Sequence, residues 1–363
     1  MIININVIKD KFDKMEEPVA CIRENNRNLL QLNRRIHRDE IKDVRRTVMS
    51  CMTTENVSET AMKLKTKAAI SDKELNQLKN ALMDDPKNIE IVLSVHGALR
   101  GMVRELTGND VKKQCAAAGC FCNLAMGDSK ACLTIAKAAG TYLTAVVDNL
   151  ATELAVTCVW TLGNLAASNV KVCDILISQG AISKIMELHP NTELQEACLY
   201  SLKHFAYQMG DELKAEHLYT ILQTLSQLQL TIESSQVLFI LSCHKDFPEA
   251  ITEELMLKWL EMFIKCMEKH LSCSPRNQCC ELVYICRTLA NTTPIAYEFI
   301  LKFLMSNNAS DLCRRVLLHT NNKELNNSLL WLFGNIYNMC GGTEFFSLLN
   351  SADSSSHMSL CGL

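Results

Sequence analysis

Trp160 and Asn164 are the residues whose types and spacing most suggest a chemical role. They lie in CVWTLGNLAAS (158–168), an apolar run that predicts a helix. Four residues make about one helical turn, so the two side chains lie along one face. An amide both donates and accepts hydrogen bonds, and an indole face attracts cations. The pair therefore either packs in a core or projects from a surface that holds something.

Residues for catalysis or metal binding do not form a recognisable set. The sequence has no phosphate-binding glycine-rich loop, no nucleophile elbow and no paired metal ligands, and its nine histidines are scattered. Cys120/Cys122 and Cys279/Cys280 are close pairs, but neither has a matched second pair at zinc-site spacing. We expect no enzyme activity, no cofactor and no metal, and packing is favoured over metal binding for both pairs.

The composition favours an all-α intracellular protein. Only 6% of the 363 residues are aromatic, and 13 Gly and 6 Pro supply few turns, so strands are disfavoured. Many of the 18 cysteines lie in apolar helical runs, and the start, MIININVIKDKFDK, lacks a signal-peptide pattern. Reduced thiols are therefore expected. No run is apolar enough to predict a membrane span.

The pattern around Asn164 recurs along the chain. Asn123, Asn164 and His204 are 41 and 40 residues apart, and weaker copies continue the series through 211–300 to Asn335. The clear copies are CAAAGCFCNLAMGD (115–128), TCVWTLGNLAAS (157–168), ACLYSLKHFAYQMG (197–210) and NSLLWLFGNIYNM (327–339). A helical period of about 40 to 47 residues indicates an armadillo or HEAT solenoid, whose stacked units share one core and form a concave side.

Glycines recur with about the same period. Gly97, Gly140 and Gly180 each precede an apolar helical stretch. Glycine between two helical patterns marks a turn, because it accepts a left-handed backbone. Each unit is therefore predicted to read helix, Gly turn, helix, short loop, helix.

Gly-Ala-Ile at 180–182 and W-x-L-G-N-L-A at 160–166 together resemble the armadillo repeats of the importin-α family of nuclear import adaptors. The resemblance covers about residues 75–340. It implies an all-α, right-handed armadillo-repeat superhelical solenoid of about six to seven repeats, preceded by a basic N-terminal helix.

In that family the third helix of each repeat lines the concave groove and holds an extended basic peptide. The resemblance implies that the asparagines clamp the peptide backbone, while tryptophan rings form slots for lysine and arginine stems. The residues assigned to the groove are Asn123, Trp160, Asn164, Tyr200, His204, Tyr284, Trp331 and Asn335. The tryptophan positions read Gly119, Trp160, Tyr200, Leu238, Tyr284 and Trp331, and the last three asparagine positions read Ser242, Thr288 and Asn335. Core packing and helix capping remain the alternative roles of these side chains.

Residues 22–46, IRENNRNLLQLNRRIHRDEIKDVRR, form a basic segment with eight Lys or Arg against four Asp or Glu. Its apolar residues have helical spacing. The segment resembles a thinned-out importin-β-binding domain, although the dense initial arginine cluster of the family is missing. The residues assigned to importin-β binding are Arg27, Leu32, Arg34, Arg35, Arg38, Arg45 and Arg46. A solvated or capping helix, or a segment that occupies the chain's own groove, are the alternatives.

The predicted organisation is a basic segment over 1–60, an armadillo array over 61–345 and a polar, disordered tail over 346–363. We expect the array to end inside a repeat, as a shortened form of the family's longer array would. The leading hypothesis is a nuclear-import adaptor of cytoplasm and nucleus that binds importin-β and a basic peptide cargo. The alternative is an armadillo scaffold that has lost cargo binding. An isoelectric point of about 6.3 disfavours nucleic acid as a partner.

Overall fold

The computed structural model describes residues 52–148, 151–187, 192–272, 280–306 and 309–341. The predicted importin-β-binding residues and the predicted polar tail lie outside these ranges. Within the described ranges the chain forms seventeen α-helices, a 3-10 turn at Gly210–Glu212 and no strand. The helices are α1 (Thr54–Thr66), α2 (Asp72–Asp84), α3 (Lys87–Ser94), α4 (Ala98–Leu106), α5 (Val111–Leu124), α6 (Ser129–Val146), α7 (Thr152–Ala166), α8 (Val170–Ser178), α9 (Ala181–Met186), α10 (Thr192–Met209), α11 (Ala215–Leu225), α12 (Ile232–Ser242), α13 (Phe247–Ala250), α14 (Glu253–Ser272), α15 (Cys280–Ser306), α16 (Ala309–His319) and α17 (Lys323–Cys340).

One helix of each repeat belongs to a continuous stack, and we call these the third helices. They are α2, α5, α7, α10, α12, the first part of α15, and α17, and each packs against the next. Other helices form a second layer, in which α1 packs on α4 and α4 on α6, and α14 packs on α16. A single apolar core runs through the stack from Val57 to Ile336. The predicted all-α solenoid is thereby confirmed.

Helix α15 serves two repeats because it is kinked. Ala296 has φ −138° and ψ 37°, which is not helical. Pro294 lies just before it, and a proline inside a helix removes one backbone donor and crowds the preceding turn. The kink separates the third helix of one repeat from the first helix of the next.

Two of the three predicted glycine turns are confirmed. Gly97 and Gly180 have φ of 100° and 83° and directly precede α4 and α9. The prediction for Gly140 is wrong, because this residue lies inside the unbroken helix α6. Its missing side chain serves close packing instead, since a Cβ there would overlap the side chain of Gln179, the residue just after α8.

Several cysteines are buried hydrogen-bond donors at helix ends. Cys132 in α6 donates to the carbonyl of Ala125 at 3.4 Å, and Cys173 in α8 donates to the carbonyl of Ala166 at 3.2 Å. Each thiol thus satisfies a carbonyl at the end of the preceding third helix, which has no partner within its own helix. Burial raises the pKa of Cys173 to about 12, so the thiol stays protonated. All thirteen cysteines in the described ranges are free thiols.

Across the described ranges, none of the helices combines the length and the apolar character that a membrane span requires.

Candidate functional site

The asparagines of the third helices connect successive repeats. Three of these amides each donate to the carbonyl of the residue just before the matching position on the preceding third helix. The pairs are Asn123 to Lys79 at 2.6 Å, Asn164 to Cys122 at 3.3 Å, and Asn335 to Ala290 at 2.8 Å. These bonds define equivalent positions along the stack, and we call the face that carries them the ladder face.

Trp160, Asn164, Tyr200 and His204 form one cluster on the ladder face. The hydroxyl of Tyr200 donates to Oδ1 of Asn164 at 3.1 Å, and its ring lies 4.1 Å from the Trp160 ring and 4.5 Å from the His204 ring. Trp160 is partly exposed, whereas Tyr200 and His204 are only 6% and 7% exposed. The structure therefore brings these four predicted groove residues together. Of their three rings, only the Trp160 indole is partly exposed to solvent.

Close backbone packing holds this cluster. A Cβ at Gly163 would lie 2.6 Å from Oγ of Ser201 and 3.0 Å from Cδ1 of Tyr200. The Ser201 hydroxyl donates to the carbonyl of Val159 at 2.7 Å. Helices α7 and α10 thus approach closely at the point where Tyr200 reaches Asn164.

The predicted register on the later third helices is displaced. Leu238, Ser242 and Thr288 were assigned to ladder positions. The amide of Asn291 donates to the hydroxyl of Ser242 at 2.8 Å, which marks the next residue, Cys243 at the end of α12, as the asparagine position there. On α15 the bond from Asn335 to Ala290 marks the next residue, Asn291, as the asparagine position. The tryptophan position, four residues earlier, is therefore Arg287 and not Tyr284. Sequence reasoning missed this pair because the repeat that contains α14 is longer than its neighbours.

Arg287 lies between aromatic rings and a carboxylate. Its Cζ is 5.8 Å from the ring centroids of both Phe239 and Tyr284. Its Nη2 donates to Glu324 at 2.8 Å, and its Nε donates to the hydroxyl of Ser328 at 3.1 Å. This guanidinium therefore connects α12, α15 and α17.

Another side-chain bridge joins α10, α12 and α15. Lys203 donates to Gln236 at 3.1 Å, and Gln236 donates to the hydroxyl of Tyr284 at 3.2 Å. Lys203 Nζ also lies 5.7 Å from the Tyr200 ring centroid. Tyr284, one of the predicted groove residues, thus belongs to an internal polar network.

The earlier part of the ladder face carries exposed acids. Glu153 lies seven residues before Trp160 on the same face of α7, and Glu196 lies one turn before Tyr200 on α10. Burial raises the pKa of the Cys115 thiol, and the negative charge of Glu153 adds to this rise. The charge of Glu153 on α7 therefore influences a thiol on the neighbouring helix α5.

Trp331 and Asn335 lie on α17, the last described third helix. The Trp331 side chain is 42% exposed, while the Asn335 amide is bonded to Ala290. They form the second complete tryptophan and asparagine pair of the sequence, separated from the Trp160 cluster by the network around Arg287. Among the described residues, no three His, Cys, Asp or Glu side chains are grouped to hold a metal ion.

The chain is similar to several solved structures. An engineered protein of the Northeast Structural Genomics Consortium matches with a TM-score of 0.61 at 16% identity, over 83% of this chain and 78% of that one. A designed armadillo repeat protein matches with a TM-score of 0.44 at 15% identity, over 77% and 99% of the two chains. Another, solved in complex with the peptide (KR)4, matches with a TM-score of 0.43 at 16% identity, over 77% and 99%.

The chain has an all-α helical-repeat fold, and at 16% identity its likeness to the engineered protein concerns the fold alone. No protein-family model and no curated protein sequence matches it.

Proposed function

We propose that this chain is an importin-α-like adaptor of nuclear protein import. It binds a basic, nuclear-localisation-type peptide on the ladder face and importin-β through residues 22–46. The observation that carries the peptide site is the partly exposed Trp160 ring, in line with the exposed carboxylates of Glu153 and Glu196. A lysine or arginine stem packs on an indole face, and nearby carboxylates attract its charged head.

The importin-β site rests on the charge of the N-terminal segment and on its resemblance to the family. Eight basic residues against four acidic ones, with apolar residues at helical spacing, suit an acidic helical-repeat receptor. Such complementarity mainly raises the association rate and the selectivity of binding. The adaptor works in both cytoplasm and nucleus, as cargo transfer requires.

Peptide binding is tested with a labelled octapeptide of alternating lysine and arginine. Trp160→Ala is expected to weaken its affinity about tenfold, because the desolvated cation–π contact is lost. Tyr219→Ala is the matched control, since Tyr219 is an exposed aromatic residue on α11, outside the third helices. Equal affinity of both variants and the wild type, with unchanged unfolding midpoints, would exclude Trp160 from the site.

Importin-β binding is measured on the full chain, on a chain without residues 1–50, and across a salt series. We expect binding that weakens with salt and disappears on truncation or when Arg34, Arg35, Arg45 and Arg46 are changed to Glu. The control reverses four exposed lysines of the array, Lys112, Lys130, Lys137 and Lys171. Absence of binding at low salt by a folded chain would rule out the import role.

That negative outcome would favour an armadillo scaffold with a dedicated partner. A specific observation supports this alternative: the Asn164 amide already bonds Cys122 and Tyr200, and Asn164 is only 4% exposed. An amide engaged in this way must break protein contacts before it can clamp a peptide backbone.

A further inference from the structure

The chain places its own cations on the ladder face where a basic peptide would place its side chains. Arg287 stands at a tryptophan position and lies over Phe239, a partly exposed aromatic residue of the preceding third helix. Lys203 lies over the Tyr200 ring, and the Lys79 stem packs against Gly119. The pattern is most complete at Arg287, where two rings and a carboxylate surround one guanidinium.

The contacts of Arg287 are those expected for an arginine of a bound ligand. The planar group is 5.8 Å from both the Phe239 and Tyr284 centroids, within the range of cation–π attraction. Its Nη2 reaches the Glu324 carboxylate at 2.8 Å, and its side chain is only 24% exposed. An arginine with these partners is held in one geometry and covers the rings beneath it.

We infer that Arg287 is a specificity-determining residue that occupies a cation slot formed by Phe239, Tyr284 and Glu324. While it is in place, this slot does not accept a lysine or arginine of a basic peptide. A basic peptide bound at Trp160 is thereby prevented from extending along the ladder face to Trp331. The choice of a basic peptide as the probe rests on the proposed function.

The physical reason is competition for one set of partners. An incoming cation would need the same ring faces and the same carboxylate, and the positive charge of Arg287 would repel it at close range. Removal of the Arg287 side chain leaves the two rings and the Glu324 carboxylate without their cation. The emptied slot then has the chemistry that binds lysine or arginine stems.

The experiment uses the full chain and an octapeptide of alternating lysine and arginine with a photo-crosslinking group. For the wild type, calorimetry is expected to give one peptide per chain, with cross-links on α5, α7 and α10. Arg287→Ala is expected to bind a second peptide within about tenfold of the first affinity, with new cross-links on α12, α15 and α17. Arg287→Ala combined with Phe239→Ala should lose the second peptide again.

Arg100→Ala is the charge control, because Arg100 is exposed on α4, outside the stack of third helices. A folded Arg287→Ala chain with the same stoichiometry and cross-links as Arg100→Ala would overturn the inference. So would wild-type cross-links on α15 or α17. If Arg287→Ala does not fold, Arg287→Gln keeps a donor for Ser328 and is held to the same outcomes.

The two proposals fail separately. If the wild type binds no peptide and Trp160→Ala changes nothing, the proposed peptide site fails. The gain of one bound peptide in Arg287→Ala still decides whether Arg287 fills a cation slot.

Discussion

At the scale of single residues, the asparagines and glycines of the ladder face hold neighbouring repeats together. Any role in binding must be compatible with these contacts. Asn164 receives a hydrogen bond from Tyr200 and donates to Cys122, so one amide joins three successive third helices. Gly163 lets α10 approach, because any side chain there would meet Ser201 or Tyr200. The W-x-x-G-N motif therefore sets the spacing between repeats as well as the surface they present.

Two glycines at the same motif position are expected to respond oppositely to alanine. Gly163→Ala should destabilise the chain by about 1–3 kcal/mol, because its Cβ would lie 2.6 Å from Oγ of Ser201. Gly334→Ala should stabilise it by up to about 1 kcal/mol, because a Cβ there would have no atom of another helix within 4 Å and alanine favours helix. Urea unfolding of the two variants measures both effects. Equal changes would contradict the packing described here.

At the scale of helices, hydrogen bonds at the N-terminus of a helix determine the residue at which it begins. Ser71 and Glu74 form a capping box at the start of α2, with each side chain bonded to the other's backbone. The backbone N–H of Ser71, its hydroxyl and then Lys63 lower the pKa of Glu74 to about 2. The ionised carboxylate therefore stabilises the beginning of the first described third helix.

Glu74→Gln is expected to lower the free energy of unfolding at pH 7 by about 1 kcal/mol, a modest value because the side chain is 29% exposed. The lowered pKa means that wild-type stabilisation is present above about pH 4.5 and is lost as pH falls towards about 2. The difference between variant and wild type should therefore shrink across this window in urea titrations. Glu261→Gln, an exposed change within α14, should show no such convergence.

The sequence was sufficient to predict the helical repeat, because its period depends on many residues. It also placed Trp160 and Asn164 on one face and located turns at Gly97 and Gly180. The turn predicted at Gly140 was wrong, because a sequence does not distinguish a glycine needed for close packing from one needed for a turn. Repeat spacing alone could not find Arg287, because the register depends on the bond from Asn335 to Ala290.

The burial of Tyr200 was not predictable from the sequence for a related reason. Tyrosine at a tryptophan position suggests an open ring, yet Trp160 and His204 cover this one from two sides. Such coverage depends on how adjacent repeats are offset, which no single repeat encodes. Sequence patterns therefore give the fold and the candidate face, while contacts between repeats decide what remains accessible.

At the scale of the whole array, stability is carried by contacts between neighbours. The third helices pack in order, and the asparagine bonds span one repeat at a time. A stack of this kind behaves as a one-dimensional series, in which local damage stays local.

Gly101→Ala is expected to show this, because its Cβ would overlap the backbone of Leu64 where α4 meets α1. Hydrogen exchange followed by mass spectrometry should report faster exchange in α1 to α5, while α14 to α17 keep wild-type protection. Gly334→Ala, in α17, should leave exchange in α1 to α5 unchanged. Uniform acceleration along the chain would instead indicate a single cooperative unit.

The buried thiols at helix ends allow the opening of individual repeats to be followed by alkylation of the native cysteines. Alkylating reagents consume the thiolate, and Cys132 and Cys173 are buried and bonded to carbonyls of different repeats. Each thiol reacts only after its own repeat opens. The order in which the cysteines are alkylated under mild denaturant would therefore give the order in which the repeats come apart.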